Sequence, residues 1–297
     1  MRILITGADG QLGSELRPVL AHHSPVFMTW PTFNLLSPAC ERQILDAQPD
    51  VIMHAAAYTD VDKAEQEPEL AMAVNAFGTE RVARAAATCG ARLIYLSTDY
   101  VFDGTRHTPY TERDPTNPIN VYGRSKLQGE GIALAQCPRA LVVRTSWLYG
   151  AKGKNFVATI MNLASAKPEL RVVADQRGCP TYAGDLAKIL VQLIDRDVVG
   201  ILHATGSGDC SWHELACMIV SRMGLRTPVI PIMSDEVKRP APRPSYSVLS
   251  NERLAELGLR LPHWTDALGR FIEGARAPAG TQVFHDPAGN GAQGPQT

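Results

Sequence analysis

Thr6-Gly7-Ala8-Asp9-Gly10-Gln11-Leu12-Gly13 (TGADGQLG) follows the apolar run Arg2–Thr6 (RILIT) and opens a helical stretch, Gln11–Ala21. A G-x-x-G-x-x-G loop between a strand and a helix lets backbone N–H groups at the helix N-terminus approach a pyrophosphate with no Cβ in the way. The spacing alone is weak, and its place directly after a first strand is what makes it informative. The loop therefore predicts a dinucleotide site on Gly7, Gly10 and Gly13.

Outward from that loop, short apolar runs alternate with helical stretches. Pro25–Thr29 reads as a strand, Pro38–Ala47 as a helix and Val51–His54 (VIMH) as a strand. One long helical pattern covers Glu69–Thr88, followed by a strand at Arg92–Leu96, a helix at Val121–Ala135 and a strand at Ala140–Arg144. The apolar runs lack strict alternation, as expected of parallel strands buried on both faces. The fold class is α/β, a doubly wound parallel sheet of the Rossmann type.

After Trp147 the rhythm loosens. Helices at Asn155–Ser165, Gly184–Ile194 and Ser211–Met223 and strands at Arg171–Ala174 and Ile201–His203 stay readable. The prolines from Pro228 to Pro244, including those of VKRPAPRPSYSVL, exclude regular helix there. The expected organisation is a dinucleotide-binding core over 1–146 with returning segments near 181–203. A smaller, interleaved substrate-binding lobe takes 147–180 and 204–274. Residues 275–297, rich in Gly, Ala, Pro and Gln, read as a disordered tail.

Composition excludes several classes. The 297 residues hold 29 basic and 30 acidic side chains, a net charge of −1, which removes the electrostatic footprint of a nucleic-acid binder. No apolar run approaches the roughly 20 residues of a membrane span, and the opening MRILITG has no secretory leader character. Six scattered cysteines contain no C-x-x-C pair, which argues against a zinc site or a disulfide scaffold. The expectation is a cytoplasmic enzyme with no nucleic-acid or membrane partner.

Tyr122-Gly123-Arg124-Ser125-Lys126 places a phenol and an ammonium at i and i+4 on one helix face. A nearby ammonium favours phenolate and lowers the phenol's pKa toward the working range, so that tyrosine can protonate an alkoxide as hydride arrives. The lysine can also hold the ribose hydroxyls of a nicotinamide cofactor. Ser97-Thr98-Asp99 ends the fourth strand, at the edge that faces the ligand crevice of such sheets. Thr98, farther past the apolar run than Ser97, is the hydroxyl placed to polarise a substrate carbonyl. After the second strand, Thr29-Trp30-Pro31-Thr32-Phe33-Asn34 offers neither the acid that binds a 2′-hydroxyl nor an arginine for a 2′-phosphate. NADPH and NADH both stay open, and Trp30 reads equally as an adenine contact, a core residue or an exposed one. His54 reads as a packed, hydrogen-bonded histidine.

Further blocks run in order: AAAYTDVDKAE (Ala55–Glu65), STDYVFDG (Ser97–Gly104), NVYGRSKLQGE (Asn120–Glu130), RTSWLYG (Arg144–Gly150), DQRGCPTYAGDLA (Asp175–Ala187) and RPSYSVLSNERL (Arg243–Leu254). With the glycine loop they resemble the dTDP-4-dehydrorhamnose reductase family of extended short-chain dehydrogenases/reductases, over about residues 1–273. The resemblance implies NAD(P)H-dependent reduction of the C4 ketone of dTDP-4-dehydro-L-rhamnose, the last step of dTDP-rhamnose synthesis. It implies that Tyr122 donates the proton, that Lys126 binds the ribose and lowers the tyrosine pKa, and that Thr98 polarises the ketone. Gly10, Gln11 and Leu12 would touch the pyrophosphate, Ala55, Ala56 and Ala57 would line the cofactor, and Asp99 and Trp147 would contact the dTDP-sugar. Arg239 or Arg243 would suit its diphosphate. Some members dimerise through a magnesium ion held by an acid on the first helix, a position matched by Glu15, although a lone acid on a helix is ordinarily a solvated face. A monomer and a homodimer are both compatible with the chain. Competing readings are a non-catalytic NADP-binding subunit of the methionine adenosyltransferase type, or another sugar-nucleotide enzyme such as an epimerase. A dehydratase would want an Asp-Glu pair where this chain has Asp99-Tyr100.

Overall fold

A computed structural model describes residues 1–276. The first half runs β1 (Arg2–Thr6), α1 (Gln11–Val19), β2 (Ser24–Met28), α2 (Ala39–Ala47), β3 (Val51–His54), α3 (Val61–Ala64), α4 (Pro68–Met72), a π-helical turn (Ala73–Gly78), α5 (Thr79–Cys89), β4 (Arg92–Thr98), α6 (Val121–Gln136) and β5 (Ala140–Thr145). It continues through β6 (Leu148–Tyr149), α7 (Phe156–Ala166), β7 (Leu170–Val173), β8 (Arg177–Gly178), β9 (Thr181–Tyr182), α8 (Ala183–Ile194), β10 (Gly200–His203), β11 (Cys210–Ser211), α9 (Trp212–Arg222), β12 (Val229–Ile232), α10 (Glu252–Glu256) and α11 (Trp264–Arg276).

Six strands form one parallel sheet in the order β10-β5-β4-β3-β1-β2. Side chains alternate between two apolar layers, as the period of a strand requires. Ile3, Ile5, Ile94 and Leu96 join Leu12 and Leu16 of α1 and Leu186 and Leu190 of α8. Leu4, Leu93 and Tyr95 face the other way, onto Ile44 of α2, Val82 of α5 and Ala133 of α6. This is the doubly wound arrangement read from the apolar runs. The chain winds from β1 to β2 on one side and to β3 on the other, so a crevice opens at the carboxyl ends of β1 and β3, where Thr6 and His54 share a register position.

A third apolar cluster lies apart from the sheet: Ile160 of α7, Leu170 of β7, Leu215 and Ile219 of α9, and Leu268 and Phe271 of α11. Between these segments α8 returns to pack beside α1, and β10 returns to pair with β5.

Several local expectations are corrected. Glu69–Thr88 is not one regular helix: the π-helical turn interrupts it and turns Asn75 inward, where it is 1% exposed. The fourth strand extends to Thr98, because Ser97 and Thr98 continue the parallel register with Arg144 and Thr145. Val229–Ile232 forms a strand despite Pro231, tolerated because β12 is an edge strand pairing only with β7. Helices α10 and α11 went unread. α11 runs through 275–276, so the expected tail begins inside a helix, and the remainder of 275–297 lies outside the described residues. All six cysteines are free thiols.

Candidate active site

The glycine loop is built by close backbone contact. Gly7 has φ +66°, and a Cβ there would lie 2.7 Å from Ala56 Cα; one on Gly13 would lie 2.2 Å from Gly7 O. No side chain caps α1, so its first-turn N–H groups are left for an anion. That uncapped helix start, with glycine at 7, 10 and 13, fits a dinucleotide pyrophosphate. Ala55 N and Ala56 N donate to Thr6 O (3.3 Å) and Thr6 Oγ1 (3.2 Å), which ties β3 to the loop. Thr79 donates its hydroxyl hydrogen to Asn75 O, so His54 Nε2 donates to Thr79 Oγ1 and His54 Nδ1 accepts from Thr6. Burial holds His54 neutral, its pKa pushed down to about 3, so the histidine is a brace. Ala57 follows in the partly buried segment after β3. Gly7→Ala is expected to weaken NADPH binding at least tenfold and lower stability by about 2–4 kcal/mol, from overpacking and a left-handed backbone; isothermal titration and denaturant melts measure both.

Tyr122 and Lys126 share α6, whose N-terminus is capped by Asn120 Oδ1 accepting from Gly123 N at 2.7 Å. Asn120 Nδ2 also donates to Pro242 O at 2.9 Å, which fixes this helix start against the proline-rich segment. Lys126 Nζ donates to Leu96 O at 2.6 Å and lies 4.1 Å from the centre of the Tyr95 ring. Burial lowers Lys126 to about 7, against the opposing pull of Glu130. Burial raises Tyr122 to about 12, partly offset by a hydrogen bond with Thr98. The expected lowering of the phenol by Lys126 is therefore corrected: the ammonium is turned toward a strand carbonyl and an aromatic face, and desolvation dominates at the phenol.

Thr98 ends β4 and is 6% exposed. Its Oγ1 accepts from Tyr100 N at 3.2 Å and pairs with Asp99 Oδ1 at 3.0 Å. Asp99 is 2% exposed, and burial raises its pKa to about 7. The structure thus brings Thr98, Asp99 and Tyr122 together, with Lys126 one turn along the helix.

Two supporting groups went unread. Glu130 accepts from Ser97 Oγ at 2.5 Å and forms a bidentate pair with Arg144 at 2.9 and 2.7 Å, both side chains buried. This joins α6 to β4 and β5 one turn beyond Lys126. The i+4 spacing from Lys126 was the available signal, but the partners lie on other elements. Asn75, at the π-helical turn, donates to Tyr58 O and to Ser125 Oγ, between Tyr122 and Lys126.

Other candidates stand differently. Trp147, at φ +45°, stacks on Trp212 with ring centres 3.4 Å apart and planes 4° from parallel. Arg243 is bidentate with Asp62 at 2.5 and 2.7 Å, so its charge is already partnered, whereas Arg239 is exposed. Trp30 is 64% exposed and so is not a core residue. Glu15 is half-buried with a raised pKa, caused chiefly by desolvation. The acid nearest it in charge, Asp185, is held by Arg270 at 3.0 and 2.5 Å and by Lys188 at 3.8 Å. Asp185 is thus already partnered, and among the described residues no three His, Cys, Asp or Glu side chains cluster.

A family model described as "RmlD substrate binding domain" matches residues 1–277. A dTDP-4-dehydrorhamnose reductase of Mycolicibacterium smegmatis is 46% identical over 90% of this chain and 84% of its own. A spore coat polysaccharide biosynthesis protein of Bacillus subtilis is 40% identical over 92% of this chain and 97% of its own. Among solved structures, dTDP-4-dehydrorhamnose reductase of Bacillus anthracis in complex with NADP superposes with a TM-score of 0.89 at 39% identity, covering 92% of this chain and 98% of that one. Glycine loop, strand-end hydroxyl and Tyr–Lys helix occur together in a chain matched over its whole described length, and the chain belongs to the dTDP-4-dehydrorhamnose reductase family.

Proposed function

We propose that the protein reduces the C4 ketone of dTDP-4-dehydro-L-rhamnose to dTDP-L-rhamnose with NADPH or NADH. The observation that carries this reading is the meeting of Tyr122 and Thr98 at the carboxyl end of β4, beside the crevice that the uncapped glycine loop opens. Gly7, Gly10, Gln11, Leu12, Gly13 and Ala55–Ala57 would hold the cofactor, with Lys126 on its ribose. When bound, the cofactor supplies hydride to the ketone carbon. Tyr122, kept protonated by burial throughout the physiological range, donates its proton to the ketone oxygen. Thr98 donates a hydrogen bond to that oxygen as it gains charge. Trp147 would line the sugar-nucleotide side, and the exposed guanidinium of Arg239 suits the diphosphate better than Arg243, which holds Asp62 in place. On this reading the sheet unit binds cofactor and the α7–α9–α11 lobe covers the substrate.

The test is loss of reduced-nicotinamide absorbance when purified protein meets NADPH or NADH and enzymatically generated dTDP-4-dehydro-L-rhamnose. Substrate-dependent loss with formation of dTDP-L-rhamnose is the expected result, and the two rates give the cofactor preference. Cofactor binding with no turnover of this ketone would overturn the reading in favour of a non-catalytic or differently specific protein.

A further inference from the structure

Thr98 has one hydroxyl hydrogen, for which the substrate ketone, Asp99 and the Tyr122 oxygen compete, and Tyr122, kept protonated by burial, has a hydrogen of its own to give. As the reductase reading requires, the Thr98 hydrogen must point at the substrate ketone. In the resting geometry, however, Thr98 Oγ1 lies 3.0 Å from Asp99 Oδ1. An ionised Asp99 is an acceptor only, so it would claim the Thr98 hydrogen. A neutral Asp99 carries its own O–H and can donate to Thr98 Oγ1, which frees the threonine hydrogen.

The surroundings of Asp99 decide between the two. Its Oδ2 is buried with no hydrogen bond, and among the described residues no cation forms an ion pair with it. The groups facing it are Thr98 and Tyr100 on its own turn, Tyr122 on α6, Ser247 on the proline-rich segment and the Cys179 thiol. Arg243, near Tyr100, is held by Asp62. Hydrogen bonds from Ser247, Thr98 and the backbone of Asp99 and Tyr100 favour the ionised form, but burial with no cation and with Oδ2 unsatisfied outweighs them and favours the neutral acid.

We propose that Asp99 rests as the neutral carboxylic acid, donates a hydrogen bond to Thr98 Oγ1, and so aims the Thr98 hydrogen at the substrate ketone. Asp99 is then a positioning residue that acts through Thr98, and its proton is not consumed in the reaction. The inference rests on the reductase reading. Burial places the titration of Asp99 at about 7. The sign follows: as pH rises through that value Asp99 ionises, takes the Thr98 hydrogen, and the rate falls.

In Asp99→Asn the amide can donate to Thr98 Oγ1 at every pH. The ratio of variant to wild-type kcat is therefore expected to rise at least tenfold between pH 6 and pH 9. Titration of Lys126 is common to both proteins and cancels in the ratio. A ratio that stays flat or falls with pH overturns the proposal. A second measurement needs neither turnover nor a folded variant: the infrared carbonyl band of a protonated carboxylic acid, recorded on the full chain labelled with carbon-13 in aspartate. The band is expected at pH 6 and absent at pH 9, and its absence at pH 6 overturns the proposal. Should the wild type fail to reduce the dTDP-ketosugar, the infrared result still reports on Asp99, so the two failures are separable.

Discussion

Tyr122→Phe is expected to lower kcat by about 10²–10⁴, the range for a lost general acid, while NADPH affinity changes by no more than about fivefold, one neutral hydrogen bond. Burial keeps the phenol protonated at all physiological pH, since its pKa is raised to about 12. Removing one oxygen leaves the ring in place against Tyr100, whose centre lies 6.0 Å away in an edge-on contact, so packing is little disturbed. Single-turnover decay of NADPH absorbance, together with direct titration of NADPH, separates the two quantities. A variant that turns over at the wild-type rate would remove Tyr122 from the mechanism.

The second large effect concerns the base of the catalytic helix. Glu130→Ala leaves the Arg144 guanidinium buried without its bidentate partner, and Arg144 and Glu130 side chains are only 2% and 3% exposed. An uncompensated buried charge costs about 3–5 kcal/mol, or a fall in melting temperature of about 10 °C for a chain of this size. His203, beside Arg144, cannot relieve the charge: burial and the arginine hold it neutral, with a pKa near 3. Ser97 loses its acceptor as well, so α6 is released from β4 one turn beyond Lys126. The double variant Glu130→Leu with Arg144→Met replaces the pair by apolar groups of similar size and is expected to recover most of the lost stability. Differential scanning calorimetry of the single and double variants checks both; equal losses in the two would show that packing, not charge, dominates.

These two predictions differ in how they could be reached. Tyr122 and Lys126 are four residues apart on one helix, and Thr98 ends an apolar run, so all three are legible from local spacing. The glycine loop is legible for the same reason, because Gly7, Gly10 and Gly13 act within one strand–turn–helix. Alternation of apolar runs with helical stretches was enough to set the doubly wound sheet, since burial on both faces leaves its mark on composition. The electrostatics were not legible. That Lys126 points to Leu96 O, that Arg243 is taken by Asp62 across 181 residues, and that Arg270 neutralises Asp185 beside Glu15 all depend on groups distant in the chain.

The chain by itself thus determined the sheet, the glycine loop and the placing of Tyr122 and Lys126 on one helix face, because each arises from residues within a few positions of one another. The tertiary structure alone decided which titratable groups are buried and which cations are held in ion pairs. Desolvation and ion pairing depend on what surrounds a side chain in space, and at this site those neighbours come from β4, α6, β5 and the proline-rich segment together.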